Sequence, residues 1–308
     1  MSAGGEFGVV KFLFFFVAIL AWGGIGAQGE ALRVASLSTV MADLAEDIGG
    51  ERVEVVEIVK PGMDPHIFEP SPGDYKTISK SRILLASGLG FEGYLDKLRP
   101  VLEKSGVRLV VGGEVVEPIE GACEGHDHSE EHHHHGTADP HWWQSVSNVQ
   151  LVAAQIRDAL VAVDPEGRVN YEKNAAKLDA RLEDLGKWVR LQIVQLPKKN
   201  RVLVTSHDAL GYFAKDYGFE ILPVQGISTS DQPSSQKVRD LIGRIQERGV
   251  KAIFAESIEN PKVLGQITAE TGAKPAGVIY ADGLGTGEAG AYEGMMRHNV
   301  TTIVEALK

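Results

Sequence analysis

The sequence predicts an α/β fold of two lobes, each with a parallel sheet flanked by helices, joined by one long linking helix. Short apolar strands alternate with helical patterns from residue 31 onward, which implies crossover connections between parallel strands. Residues 167–195 keep a helical pattern that would be about 43 Å long, more than the width of a small domain. The chain length also fits about two domains.

The N-terminal segment, residues 1–27, has the features of a signal peptide. Lys11 precedes the apolar stretch FLFFFVAILAW, and the small-residue segment GGIGAQG follows, with a cleavage site after Ala27. The apolar stretch is shorter than the roughly 20 residues that span a bilayer. An uncleaved anchor is the alternative, and the lack of a cysteine directly after the stretch argues against a lipid anchor. We therefore expect export from the cytoplasm.

An N-terminal α/β lobe is predicted over residues 31–166. Ser71 is expected to cap a helix whose first residue is Pro72, a position that tolerates proline. The predicted strands are 32–38, 53–59, 82–88 and 108–113, and the predicted helices are 39–50, 71–81, 90–106 and 147–163.

A polar segment, residues 117–140, interrupts this alternation. It is rich in histidine and acidic residues and lacks apolar periodicity, so we expect a mobile loop. Its imidazoles could bind additional metal weakly, and a solvated insertion without function is the alternative. Cys123 is either a metal ligand or a plain exposed thiol. The possible auxiliary ligands are His126, His128, His132, His133, His134 and His135.

The linking helix is predicted over residues 167–196 because four apolar residues recur at helical spacing: Leu178, Leu182, Leu185 and Val189. The alternative is two shorter helices broken near Gly186. The C-terminal α/β lobe follows over 197–308. Its predicted strands are 201–206, 219–226, 251–257 and 276–282, and its predicted helices are 208–218, 234–249, 260–272 and 288–307.

Composition excludes several function classes. The net charge of −11 argues against binding to nucleic acid or to an anionic membrane, since both favour positive charge. The single cysteine excludes an internal disulfide. The sequence contains neither the H-E-x-x-H helix of zinc proteases nor the G-x-x-x-x-G-K-[ST] loop of nucleotide-binding proteins.

Four residues form the candidate metal site: His66 in GMDPHIFEP, His141 in ADPHWWQ, His207 in TSHDALG and Asp282 in YADGLG. Three imidazoles and one carboxylate suit a borderline divalent ion, zinc above all. Three of the four follow predicted strands, where α/β sheets bind ligands. We expect the four to meet between the lobes. The alternatives are histidines that only hydrogen-bond within loops and an Asp282 that only starts a turn.

These segments resemble the signature segments of the cluster A-I solute-binding proteins of zinc and manganese ABC importers. The resemblance extends over the longer stretches PGMDPHIFEPSPGDYKTIS and LVTSHDALGYFAKDYG. The resemblance implies two four-stranded lobes on one rigid helix and metal ligation by the four candidates. Manganese-preferring members carry a glutamate at the third position, where this chain has His207. The resemblance also implies that Glu256, in FAESIENP, supports the site rather than binding metal.

The resemblance therefore implies a non-enzymatic, monomeric periplasmic receptor that captures Zn²⁺ and delivers it to an inner-membrane ABC permease served by a separate ATPase subunit. Mn²⁺ is the less favoured ion. Because binding needs neutral imidazoles, affinity should fall below about pH 6. The alternatives are a manganese receptor or adhesin of similar build, and a secreted zinc hydrolase with Asp282 or Glu256 as general base.

Overall fold

The computed structural model describes residues 30–120, 138–231, 233–257 and 262–308, together with residues 1, 2 and 4. The apolar stretch of the expected signal peptide, the six auxiliary histidines and Cys123 lie outside the described residues. Residues 31–308 form one compact unit. Among the described residues, every helix is too short or too polar to cross a membrane.

Two four-stranded parallel sheets form the framework, as the sequence predicts. In the first sheet the strand order is β2-β1-β3-β4, and Val34 of the central strand pairs with Val55 on one side and Ile83 on the other. The second sheet repeats the arrangement in the order β6-β5-β7-β8. The strands are β1 Leu32–Ser36, β2 Val53–Glu57, β3 Ile83–Ala86, β4 Arg108–Val111, β5 Val202–Thr205, β6 Glu220–Pro223, β7 Ala252–Glu256 and β8 Lys274–Ile279.

Nine helices within the described residues cover these sheets. The predicted start of α2 is confirmed: Ser71 and Asp74 form a reciprocal capping box with Pro72 in the first turn. The helices are α1 Thr39–Gly49, α2 Pro72–Ile78, α3 Leu95–Ser105, α4 Val146–Val163, α5 Arg168–Ile193, α6 Gly211–Tyr217, α7 Ser235–Arg248, α8 Lys262–Thr271 and α9 Tyr292–Leu307.

The long helix α5 has 26 residues, or about 39 Å at 1.5 Å per residue. It packs against α1 and α4 of the first lobe and against α9 of the second. The predicted apolar residues, from Leu178 to Val189, lie on its buried face. Gly186 lies inside the continuous helix, so the alternative of a break there is wrong. The helix therefore links the lobes through one shared apolar core.

Several predicted boundaries differ from the structure. Helix α3 begins at Leu95 rather than at residue 90 because Gly88, Leu89 and Gly90 have positive φ angles and form a tight turn. Helix α9 begins at Tyr292 because residues 287–290 form a separate 3₁₀ turn. The lobe limits given above stay a prediction.

Candidate metal centre

The structure brings the four candidate ligands together. His66 lies in the loop after β2, His207 follows β5, and Asp282 follows β8, as expected for the carboxyl ends of parallel strands. His141 instead precedes the short 3₁₀ turn of residues 142–144 that leads into α4. One ligand atom from each residue can be chosen so that all four lie within 4.8 Å of one another.

The Asp282 carboxylate is at the centre of the cluster. Its Oδ1 lies 3.0 Å from Nε2 of His207, 3.3 Å from Nε2 of His141 and 3.5 Å from Nε2 of His66. The Nε2 atoms of His66 and His141 are 3.3 Å apart. Four ligand atoms at zinc–nitrogen distances of 2.0–2.1 Å and tetrahedral angles would be roughly 3.4 Å apart. These four separations, 3.0 to 3.5 Å, are therefore close to those expected around a single four-coordinate ion.

Two buried carboxylates fix the orientation of two of the three imidazoles by contacting their Nδ1 atoms. Asp139 Oδ1 accepts a hydrogen bond from Nδ1 of His141 at 2.8 Å, and Glu256 pairs with Nδ1 of His207. Glu256 Oε1 also accepts the backbone N–H groups of Ser206, at 3.0 Å, and His207, at 3.2 Å. An imidazole that donates from Nδ1 presents a lone pair on Nε2, which is the state a metal requires.

The charges in the cluster perturb its proton affinities. Burial alone would lower the pKa of His207, but the carboxylates of Asp282 and Glu256 outweigh it and raise the pKa well above 6.5. Burial would also lower the pKa of His141, but hydrogen bonds to Asp139 and Asp282 raise it above 6.5. Burial would raise the pKa of Asp282, yet the charge of His207 and hydrogen bonds from three imidazoles hold it well below its usual range. The surrounding carboxylates therefore favour protonation of His207 and His141.

A repeated Asp-Pro-His tripeptide shapes two of the four positions. Asp64 Oδ1 accepts the backbone N–H of His66 at 2.9 Å, and Asp139 Oδ1 accepts that of His141 at 2.8 Å. The second oxygen of Asp64 accepts a hydrogen bond from the Thr229 hydroxyl at 2.8 Å. Since Thr229 follows β6, this bond joins the His66 loop to the C-terminal lobe.

The Asp282 loop is held by residues of the N-terminal lobe. Trp143 Nε1 and Gln144 Nε2 both donate to the carbonyl of Ala281 at 2.8 Å. On the other side of Asp282, the N–H of Leu284 donates to Thr39 Oγ1 at 2.8 Å. These bonds fix a carboxylate from the second sheet against imidazoles from the first.

The sequence identified the four candidates and Glu256 but missed the residues that position them. Asp64, Asp139 and Trp143 stand out in the sequence only as neighbours of the candidate histidines. The tripeptide Asp-Pro-His, present twice, was the available signal because an aspartate two residues before another residue commonly accepts its backbone N–H. Nothing in the sequence indicated Thr229, whose contact depends on how the lobes meet.

Comparisons with known proteins agree with this architecture. Residues 34–306 match the family model described as zinc-uptake complex component A, periplasmic. The manganese-binding lipoprotein MntA of Bacillus subtilis is 34% identical over 289 residues, covering 91% of this chain and 90% of MntA. The iron-binding protein YfeA of Yersinia pestis is 31% identical over 291 residues, covering 94% of this chain and 90% of YfeA.

Among solved structures, the periplasmic zinc-binding protein TroA from Treponema pallidum aligns with a TM-score of 0.81 at 28% identity, covering 91% of this chain and 99% of TroA. The chain belongs to the zinc-uptake component A family, the metal-binding solute-binding proteins of ABC transporters. The relatives are named for manganese, iron and zinc, so family membership leaves the identity of the metal open.

Proposed function

We propose that this member of the family is an extracytoplasmic, high-affinity zinc receptor that holds Zn²⁺ with His66, His141, His207 and Asp282. The observation that carries the proposal is the convergence of three imidazole nitrogens and one carboxylate oxygen within 4.8 Å. A protein site that supplies all four ligands suits capture, whereas catalytic zinc sites keep one position for water. This favours a receptor over the zinc hydrolase considered above.

The preference for zinc rests on the donor atoms. Imidazole nitrogen suits zinc, whereas manganese favours oxygen-rich, octahedral sites. Within the described part of the chain, Asp282 is the candidate source of oxygen ligands, because the carboxylates of Asp139 and Glu256 are turned towards the Nδ1 atoms of the histidines. His207 stands where manganese-preferring members of the family carry a glutamate.

A manganese receptor is the second candidate. The similarity to the Bacillus subtilis protein named for manganese favours it. Competitive titration of the purified chain with Zn²⁺ and Mn²⁺ separates the two. Comparable affinities would contradict the zinc assignment.

As a receptor of an ABC importer, the chain would pass its ion to an inner-membrane permease whose ATPase is a separate polypeptide. We propose the periplasm as its location and a monomer as its working form. Relatives named as a lipoprotein and as a periplasmic protein support an extracytoplasmic location. The ligands are buried, so release requires the lobes to separate or the His66 loop to move away.

Replacing His207 by alanine tests the ligand assignment directly. We expect zinc affinity to fall at least about 100-fold, since one of four ligands and its charge network are lost. The matched control is His298→Ala, which removes an exposed imidazole that contacts the Val278 carbonyl. An unchanged affinity in the His207 variant, with native circular dichroism, would show that another group binds the ion.

A further inference from the structure

Helix α6 connects the segment that carries His141 with the loop that carries His207. His207 lies in the loop between β5 and α6, and its ring centroid is 5.2 Å from that of His141. The helix also makes hydrogen bonds to residues 139–145 at two places, one before His141 and one after it. The helix is therefore placed to set the distance between these two candidate ligands.

The first contact is made by Tyr212, whose hydroxyl lies between residues 119 and 139. This hydroxyl donates to the Asp139 carbonyl at 3.2 Å and accepts the Ile119 N–H at 3.3 Å. The Asp139 N–H donates directly to the Ile119 carbonyl at 2.9 Å. Tyr212 and Asp139 are both buried, so little water competes for these bonds. The hydroxyl thus completes the backbone pairing of the residue whose carboxylate contacts Nδ1 of His141.

Gly211 allows the helix to approach the same carboxylate closely. A Cβ at this position would lie 2.5 Å from Oδ2 of Asp139 and 3.0 Å from Cδ1 of Ile119. Non-bonded atoms attract each other best at about 3.5–4.0 Å, so a methyl group here would displace the carboxylate. Oδ1 of that carboxylate accepts the backbone N–H of His141 and contacts its Nδ1, both at 2.8 Å. A shift of Asp139 would therefore be passed on to the imidazole.

The second contact lies beyond His141, directly before α4. The hydroxyl of the buried Ser145 donates to Oδ2 of Asp216, near the end of α6, at 2.6 Å. Residues 139–145 are thus attached to one short helix at both ends, with His141 between the attachments. A segment held at two points has less freedom to turn its imidazole away, so less conformational entropy is lost when a metal binds.

We propose that Gly211 and Tyr212 are positioning residues for metal binding, which hold Asp139 behind His141 and keep His141 at a fixed distance from His207. Both act through Asp139 rather than by contacting the ion. The inference rests on the proposed function, because it requires His141 and His207 to bind the same ion. Orienting a ligand in advance lowers the cost of binding, and the gain is expected mainly as slower release of the metal.

The first test replaces Gly211 by alanine. Loss of the group that orients a metal-binding histidine typically reduces affinity 10- to 100-fold, so we expect zinc affinity to fall about tenfold in chelator competition. The visible spectrum of bound Co²⁺, which reports ligand geometry, should change as well. The control is Gly243→Ala in α7, where a methyl group would meet no neighbouring side chain among the described residues. Its zinc affinity and Co²⁺ spectrum should match wild type.

The second test, Tyr212→Phe, removes one oxygen atom and adds none. We expect zinc release measured by stopped flow to be about fivefold faster, with an unchanged association rate. The matched control is Tyr171→Phe, which removes another buried hydroxyl that donates to Asp164 at 2.6 Å. Asp164 lies at the end of α4 that is far from His141. Both variants should lower the free energy of unfolding in urea, but only Tyr212→Phe should change zinc release.

Wild-type zinc affinity and an unaltered Co²⁺ spectrum in both α6 variants would overturn the inference. An equal loss of affinity in the control variants would also overturn it, because stability alone would then explain the effect. If Gly211→Ala lacks native circular dichroism, Tyr212→Phe decides the question by itself. The proposed function is judged separately, by the affinities of the wild-type chain for Zn²⁺ and Mn²⁺.

Discussion

Replacing Glu256 by glutamine should weaken zinc binding while leaving all four candidate ligands in place. The wild-type carboxylate pairs with Nδ1 of His207 and accepts two backbone N–H groups, which leaves Nε2 of the imidazole facing the other candidate ligands. A glutamine can turn its oxygen towards Nδ1, which points its NH₂ at the backbone donors. Alternatively it can donate to Nδ1, which moves the imidazole proton to Nε2 and blocks the ligand atom.

The size of the effect follows from this one contact. Loss of a carboxylate behind a metal-binding histidine typically reduces affinity 10- to 100-fold, which is about 1.4 to 2.7 kcal/mol. We expect the upper part of that range because Glu256 is 6% exposed, so little solvent screens the charge that is removed. The variant should also release fewer protons on binding zinc, since the raised pKa of His207 depends on Asp282 and on Glu256.

Competition with a chromophoric zinc chelator measures the affinity, and isothermal titration in buffers of different ionisation enthalpy counts the protons. Glu220→Gln is the matched control, because Glu220 is in the same lobe and pairs with Arg248 at 3.1 Å on the surface. Affinity of the Glu256 variant within about twofold of wild type would refute the argument that this carboxylate sets the state of His207.

Three further predictions concern release, closure and the histidine-rich segment. Apparent zinc affinity should fall as the pH drops through the raised pKa of His207, because zinc must displace the proton of that imidazole. Chelator competitions at a series of pH values should show the decline beginning above pH 6.5 rather than near pH 6. An affinity that stays constant between pH 8 and pH 6 would contradict this prediction. Thr229→Val removes the hydrogen bond to Asp64, worth about 1 kcal/mol, so zinc release measured by stopped flow should be about fivefold faster. The control Ser230→Ala, at an exposed neighbouring residue, should release zinc at the wild-type rate. Equal release rates in the two variants would show that this hydrogen bond does not hold the lobes closed. Deleting residues 124–135 should preserve the tight binding event in calorimetry and abolish weaker ones, whereas loss of the tight event would place a principal ligand in that segment.

Much of the fold could be predicted because its periodicities are strong. The alternation of buried strands and amphipathic helices predicted both sheets, and the spacing from Leu178 to Val189 predicted the long helix, which the structure shows to be continuous through Gly186. The boundaries were less certain where backbone geometry rather than hydrophobicity decides them. Three consecutive positive φ angles at residues 88–90 delay α3, and no apolar pattern reports such a turn.

The candidate ligands were accessible from sequence because imidazole and carboxylate groups carry recognisable chemistry after strands. Some of the residues around them were not, because their chemistry is ordinary. Tyr212 resembles any core aromatic until its hydroxyl is found beside Asp139, and Thr229 resembles any loop hydroxyl until it meets Asp64. Such roles arise from contacts between residues that are distant in sequence, which local patterns do not encode.

The charge of the centre explains why capture and burial should occur together. Asp282, Asp139 and Glu256 are three buried carboxylates around three imidazoles. With neutral imidazoles the cluster carries three negative charges in a poorly solvated space, which is unfavourable unless a cation compensates. Protons on the imidazoles fill that role without metal, and a divalent ion fills it by replacing them. A closed pair of lobes is thus stabilised by a dication at neutral pH, and acidification should favour the protonated, metal-free state.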